Sequence, residues 1–224
     1  MVSLLDIFFP PICLNCRTYL NGPEEKENLL CDICFTGIKV YSNIFRPDPR
    51  FNLMALGSYE TSALRELLHY FKYNGFLAAR APLEKLMMRW LNTNSSLVSR
   101  FLLPRSLLVP IPLHRNRLRA RGFNQAELIA EVLSQFFQLP LEAGLLERTR
   151  DTKSQIGMKS AKEREENVKS SISIREGRES LLSQYQNVIL VDDVYTSGST
   201  MKEAIQALRR SGAKNITAFV IAKT

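Results

Sequence analysis

The chain has 224 residues, enough for one sizeable core and a small appendage, with 45% hydrophobic and 23% charged residues. That balance, without any low-complexity tract, excludes a disordered or fibrous chain. A formal net charge of +8 and a pI near 9.5 favour a polyanionic partner, whether a phosphorylated small molecule, nucleic acid or an anionic membrane face, without choosing among them.

The first stretch, MVSLLDIFFPPI, is apolar, but it lacks a basic flank, carries Asp6 and meets Pro10 and Pro11 well short of the ~20 residues of a membrane span. It reads as a short packing segment, and the expected compartment is the cytoplasm, where thiols stay reduced. All four cysteines follow as two knuckles, CLNC (Cys13, Cys16) and CDIC (Cys31, Cys34). Each Cys-x-x-Cys turn sets two thiolates on one side of a tight loop, so two turns supply the four soft ligands of a tetrahedral structural zinc site. A pair of disulfides or redox dithiols is the competing reading, disfavoured in a reducing compartment. A closed four-thiolate site holds a small ribbon together and leaves no open position for catalysis. The loop between the knuckles sets Glu24, Glu25 and Glu27 against Arg17 and Lys26, which makes it a poor grip on nucleic acid.

The cysteine unit is assigned to residues 1–45 and the main domain to 52–224, with Tyr41 to Phe51, holding Pro47 and Pro49, as a linker or extended crossing. LMALGSY (53–59) is predicted as a strand, and Leu64, Leu67, Leu68 and Phe71 then fall on one helical face. SLLVPIP (106–112) is a second buried strand. Behind an Asn124-x-x-Glu127 cap, Ala126, Ile129, Ala130, Leu133 and Phe137 share another helical face. GLLERT (144–149) suggests a short strand. At the end VILV (188–191), a helix with Met201, Ala204, Ile205 and Leu208 inward, a stop at Gly212 and ITAFVIA (216–222) make a βαβ unit. The alternation predicts an α/β fold whose mostly parallel sheet is covered on both faces, with ligands bound beyond the carboxyl ends of the strands.

Three segments at such strand ends carry chemistry. Asp192 and Asp193 end the VILV run, and Thr196, Ser197, Gly198, Ser199 and Thr200 lead into the next helix. Open N–H groups and the helix dipole favour an anion there, Gly198 lets the backbone approach, and the aspartates suit sugar hydroxyls or the water shell of magnesium. A capped strand-to-helix turn with solvated aspartates is the plainer reading of the same residues. Neither GxxxxGK[ST] nor GxGxxG occurs, which removes support for nucleoside triphosphatase and dinucleotide-binding functions. After SLLVPIP come Arg115, Arg117, Arg119 and Arg121 at alternate positions, able to hold phosphate oxygens, to track a nucleic-acid backbone or simply to face water. His114 is either a general acid or base or a structural histidine. Finally, Ser160-x-x-Glu163 opens a charged helix with almost no apolar face, so little would dock it.

VILVDDVYTSGST resembles the phosphoribosyl pyrophosphate signature of type I phosphoribosyltransferases. Together with the cysteine knuckles, VPIPLHRNRLRARGFNQAE and RTRDTKSQIGMKSAKEREENV, nearly the whole chain resembles the ComF family, known for its role in natural competence. The resemblance implies a type I phosphoribosyltransferase fold behind an N-terminal zinc ribbon. It assigns Asp192 and Asp193 to the ribose hydroxyls as the catalytic pair, and Thr196 to Thr200 to the 5′-phosphate. Arg115, Arg117 and Arg121 fall to a pyrophosphate loop, longer here than in simple phosphoribosyltransferases, and Gln155 and Arg164 to a lid. Lys72-x-x-Gly75 also matches a family element, although lysine followed by glycine is equally a helix stop.

Two functions follow. One is a cytoplasmic ComF-like protein of DNA uptake, with structural zinc, a magnesium-dependent phosphoribosyl pyrophosphate site, and single-stranded DNA and other uptake proteins as partners. The alternative is an active phosphoribosyltransferase of nucleotide or amine metabolism, releasing pyrophosphate and unconnected with DNA. Only Phe123 among aromatics stands beside the arginines, so a stacking platform for bases is thin.

Overall fold

The computed structural model describes residues 10–73, 76–101, 105–149 and 171–224. Two short helices flank the cysteine knuckles, α1 (Pro23–Asn28), entered through Pro23, and α2 (Asp32–Thr36), which starts directly behind Cys31. Strand β1 (Ile44–Asp48) then pairs antiparallel with β2 (Phe51–Ser58). Of the segment read as a linker or an extended crossing, Ile44 to Asp48 is the first strand of the sheet, and Pro47 is tolerated because β1 lies at the sheet edge.

Helix α3 (Ser62–Tyr73) buries Leu64, Leu67, Leu68 and Phe71, the face its periodicity predicts. Helices α4 (Phe76–Thr93) and α5 (Ser95–Phe101) follow, and α4 carries Pro82 inside it while burying Leu83, Leu86, Met87, Trp90 and Leu91. Next come β3 (Ser106–Pro110), the seven-residue helix α6 (Arg115–Arg121) and α7 (Gln125–Phe137), whose N-terminal N–H group at Ala126 is capped by Asn124 Oδ1 at 3.2 Å. Strands β4 (Leu146–Arg148) and β5 (Ile172–Ile174) form a separate antiparallel pair. The chain closes with β6 (Asn187–Tyr195), α8 (Ser199–Arg210) and β7 (Asn215–Lys223).

The main sheet has the order β1-β2-β7-β6-β3, parallel throughout except at β1. Alternation along the pleat divides each central strand between two cores. Met54, Leu56, Ile189, Val191, Phe219 and Ile221 face α3, α4 and α7, whereas Leu53, Ala55, Val188, Leu190, Ala218 and Val220 face α8 through Met201, Ala204, Ile205 and Leu208. Continuous apolar runs are what a doubly covered parallel sheet requires.

The cysteine unit docks on the α3 and α4 side, where Cys13, Leu20, Leu30 and Ile38 join the same core as Leu64 and Trp90. Arg89 of α4 donates to the carbonyls of Ile38 and Phe35, Lys85 pairs with Glu27 at 2.6 Å, and Asn94 donates to the Tyr41 carbonyl at 3.0 Å. Among the described residues no helix is long and apolar enough to cross a membrane.

Candidate phosphate-binding cleft and cysteine centre

Strand β6 outruns β3. Its pairing with β3 ends at Pro110 opposite Val191, but pairing with β7 continues to Tyr195 opposite Lys223. Asp192 and Asp193 therefore do not leave the sheet, as the VILV pattern suggests. They stay in the strand at the point where its β3 side falls open, which fixes their direction more firmly than a turn would. The opening is a cleft of about 340 Å3. Asp192, Asp193, Thr196 and Thr200 line one part, Arg117, Arg121, Asn124 and Gln125 another, and Lys72 and Arg148 reach in from α3 and β4.

Each group is held by its neighbours. Asp192 is half-buried and its Oδ1 accepts the Asp193 N–H at 2.8 Å. Burial first, and then the adjacent Asp193 charge, push the Asp192 carboxyl up to about 7, although the Asp193 N–H and the charges of Lys72 and Arg148 pull the other way. Lys72 Nζ lies 2.8 Å from Asp193 Oδ2, with both side chains largely buried. The lysine is thus the counter-ion of the aspartate pair, a role its position before a helix stop does not announce.

The hydroxyl loop shapes a smaller pocket of about 40 Å3, lined by Tyr195, Gly198 and Ser199 together with Asp192, Thr196 and Thr200. Gly198 takes φ 74°, and a Cβ there would collide with the Tyr195 hydroxyl and ring. Only glycine fits this turn on both counts. Gly198 is also the N-cap of α8 and offers no side-chain cap; the Ser199 N–H meets Ser197 Oγ only at 3.5 Å, which leaves this helix start open to a ligand. Thr196, Ser197 and Ser199 are exposed, and Ser197 Oγ lies 3.2 Å from Ser199 Oγ.

The arginine segment is a helix, not the expected loop. Alternate positions in sequence separate on a helix into i, i+4 pairs. Arg117 and Arg121 line the cleft and are half-buried, whereas Arg115 and Arg119 are exposed and are not among the residues lining it. Arg121 donates to Gln125 Oε1 at 3.1 Å and to the Tyr73 hydroxyl at 3.3 Å, with its guanidinium 5.1 Å from the Tyr73 ring centre. His114 is 6% exposed and caps α6, its Nδ1 accepting the Asn116 N–H at 3.3 Å. This is the structural alternative for His114. Gln125, which sequence reasoning overlooked, is 2% exposed, and its Nε2 meets no acceptor among the described residues. A buried donor without an acceptor on a cleft wall suits a ligand oxygen.

The phosphoribosyl transferase domain family matches residues 121–224, from the end of α6 to the last residue. Competence protein F of Haemophilus influenzae is 28% identical over 230 residues, covering 96% of this chain and 98% of that protein. The DNA utilization protein YhgH of Escherichia coli is 29% identical and covers 90% of this chain and 81% of its own length. Competence protein ComFC of Bacillus subtilis is 32% identical over 119 residues, 53% of this chain and 45% of that one. The chain is thus similar to competence protein F over nearly its whole length, and its residues 121–224 match a phosphoribosyl transferase domain.

The phosphoribosyl transferase match takes in Arg121, Gln125, the aspartate pair and the hydroxyl loop, but it starts after the cysteine unit, α3 and β3. The longer relatives extend the likeness over those elements. The sulfur atoms of Cys13, Cys16, Cys31 and Cys34 all lie within 4.8 Å of one another, and all four are free thiols. Cys16 Sγ and Cys31 Sγ are 3.6 Å apart, close to the ~3.8 Å edge of a tetrahedron whose metal–sulfur bonds are ~2.3 Å. Asn15 Nδ2 donates to Cys34 Sγ at 3.2 Å, a contact of the kind that orients metal ligands. The cluster is therefore fit to hold a metal ion. Gln155, Arg164, the Ser160 and Glu163 cap, Gly75 and the apolar segment before Pro10 lie outside the described residues.

Proposed function

We propose that this protein is a cytoplasmic factor of natural DNA uptake that binds phosphoribosyl pyrophosphate in the cleft at the end of β6. The observation that carries the reading is the convergence of three chemistries around one opening: paired carboxylates, a hydroxyl-lined helix start and two arginines. That set is complementary to a ribose carrying phosphate at one end and diphosphate at the other. Asp192 and Asp193 hold the ribose hydroxyls, Thr196 to Thr200 take the 5′-phosphate at the α8 N-terminus, and Arg117 and Arg121 face the diphosphate. Arg115, assigned to the same loop by sequence, is exposed outside the cleft lining and takes no direct part in this reading. Gln155 and Arg164 belong to a lid that excludes water once the ligand is seated.

Magnesium bound with the diphosphate would offset part of its charge, and Asp192 and Asp193 are the residues suited to its water shell. Lys72 must then give up or share Asp193 when ligand and ion arrive. Zinc is the ion proposed for the cysteine centre, because four thiolates at tetrahedral spacing match its preferred coordination. The relatives named for competence and DNA utilization support the uptake role, with single-stranded DNA and other uptake proteins as partners.

Calorimetric titration of phosphoribosyl pyrophosphate, with and without magnesium, tests the site. Wild type should bind in a magnesium-dependent way, and Asp192→Asn with Asp193→Asn should weaken binding at least ~100-fold, two charge-assisted contacts being worth about 3 kcal/mol or more, while the fold is retained. A folded, zinc-loaded wild type that gives no heat with the ligand would refute the assignment.

A further inference from the structure

The opposite end of the sheet carries a second and larger concavity. A groove of about 770 Å3 runs along the amino-terminal ends of β2, β6 and β7, between the β1–β2 turn and the C-terminal end of α8. Its walls include Arg46, Arg50, Arg209 and Lys214 against one acid, Asp48. These four cations come from four separate places: β1, the β1–β2 turn, the last turn of α8 and the α8–β7 connection. Nothing in the sugar-phosphate cleft involves them. Eight residue steps along β7 separate Asn215 at this end from Lys223 at the other, ~26 Å at the rise of an extended strand.

Two of the four cations, Arg50 and Arg209, are held in place. Asp48 grips Arg50 in a two-pronged contact, Nε to Oδ1 and Nη2 to Oδ2, each at 2.7 Å, and Arg209 Nη2 donates to the Arg50 carbonyl at 2.6 Å. Fixing two guanidinium groups along one wall lowers the ordering cost of binding an anion. Asp48 cancels only one of the four charges, so the groove keeps a net positive field.

We infer that this groove is a second ligand site, one that grips the sugar-phosphate backbone of single-stranded DNA independently of the cleft at β6. The inference rests on the DNA-uptake reading for the choice of polyanion, and on the groove itself for the place. A single phosphate would be held by donors converging on one point at a small opening. Here cations from four separate segments line a groove of about 770 Å3, far larger than one phosphate, which suits phosphates repeated along a strand. The one aromatic of the lining, Phe51, is 4% exposed, so bases find no platform to stack on, and the grip should be insensitive to sequence. Amides of Asn187 and Asn215 line the floor and can meet sugar and phosphate oxygens. A concave site also fits a strand better than the flat face of an anionic membrane.

Fluorescence anisotropy with a labelled thymidine oligonucleotide of about 20 residues tests the groove, using the whole zinc-loaded protein. Arg46 and Lys214 are exposed and lie outside the cleft machinery, so Arg46→Gln with Lys214→Gln should leave magnesium-dependent phosphoribosyl pyrophosphate binding unchanged. The same variant should bind the oligonucleotide about tenfold more weakly at ~100 mM salt, and its log–log salt slope should be shallower by about 1.4, at ~0.7 per lost phosphate contact. Asp48→Asn should tighten oligonucleotide binding, and Asp192→Asn with Asp193→Asn should leave it as it is. Unchanged oligonucleotide affinity in the Arg46 and Lys214 variant would overturn the inference, as would a loss confined to Arg117→Gln with Arg121→Gln, or binding that proves specific to anionic vesicles. Failure of phosphoribosyl pyrophosphate to bind would refute the cleft assignment alone, since the two readouts use different ligands and different residues.

Discussion

Asp192 carries a charge that the fold resists. Its carboxyl is raised from an ordinary value of 3.8 to about 7, by burial foremost and by Asp193 next. Between those two values the folded protein holds a proton that the unfolded chain has released, so stability falls as pH rises through that window and levels off above it. Asp192→Asn removes the penalty. The variant should therefore be more stable than wild type at pH 8, by roughly 1–4 kcal/mol, and the two should converge near pH 4. Thermal melts at both pH values check this, and an equal shift at both would show that Asp192 is not strained by its charge. Binding would be lost where stability is gained, the usual sign of a functional residue. The aspartates were legible in the sequence as chemistry at the end of a strand. Lys72 as their counter-ion was not, because it depends on α3 meeting β6, far away in the chain, and Gln125 as a waiting donor was not, because only the packed fold leaves its Nε2 buried without an acceptor among the described residues.

At the scale of elements, helix α6 decides which arginines can act. Read as a loop, Arg115, Arg117, Arg119 and Arg121 are equivalent, but the helical period turns one pair into the cleft and the other toward solvent. Arg117→Gln with Arg121→Gln should weaken phosphoribosyl pyrophosphate about 100-fold or more, each charge-assisted contact being worth roughly 1.5–3 kcal/mol. Arg115→Gln with Arg119→Gln should change it less than about threefold, consistent with exposed charges. Calorimetry on the two double variants compares them directly, and equal losses would mean the helix does not sort them. The βαβ unit of β6, α8 and β7 was plain in the sequence because strand, cap, apolar face and glycine stop all agree. Other elements were hidden by local signals that tertiary structure overrides. Pro47 argues against a strand yet sits on the sheet edge, and Pro82 argues against a helix that Leu86, Trp90 and Leu91 nevertheless bury. Strand β5, only three residues long, has too little pattern to read and is defined by its partner β4.

Across the whole molecule, the cysteine unit and the sheet share a core. Cys13, Leu20, Leu30 and Ile38 pack in the same cluster as Leu64, Leu86 and Trp90, while Arg89 and Lys85 tie α4 to the carbonyls and Glu27 of the unit. A structural metal held by four thiolates contributes folding free energy directly, so removing the proposed zinc should loosen the ribbon and uncover that apolar side of α3 and α4. Chelation, or Cys13→Ser, should therefore lower the melting temperature of the entire protein by roughly 5–10 °C as one transition, an amount that a loss of a few kcal/mol implies for a chain of this size. Ligand binding should respond less. The cleft takes its lining chiefly from β6, α6, α7 and the start of α8, none of them in the ribbon, although Tyr59, Val194 and α7 also pack against the ribbon-side core. Calorimetric scans paired with metal analysis can separate the outcomes. A chelated protein with an unchanged main transition, or with a small independent one for the ribbon, would show that the two units fold apart despite their common core. A single lowered transition with phosphoribosyl pyrophosphate still bound would instead make the zinc unit a support for the α3 and α4 layer, leaving recognition to the two ends of the sheet.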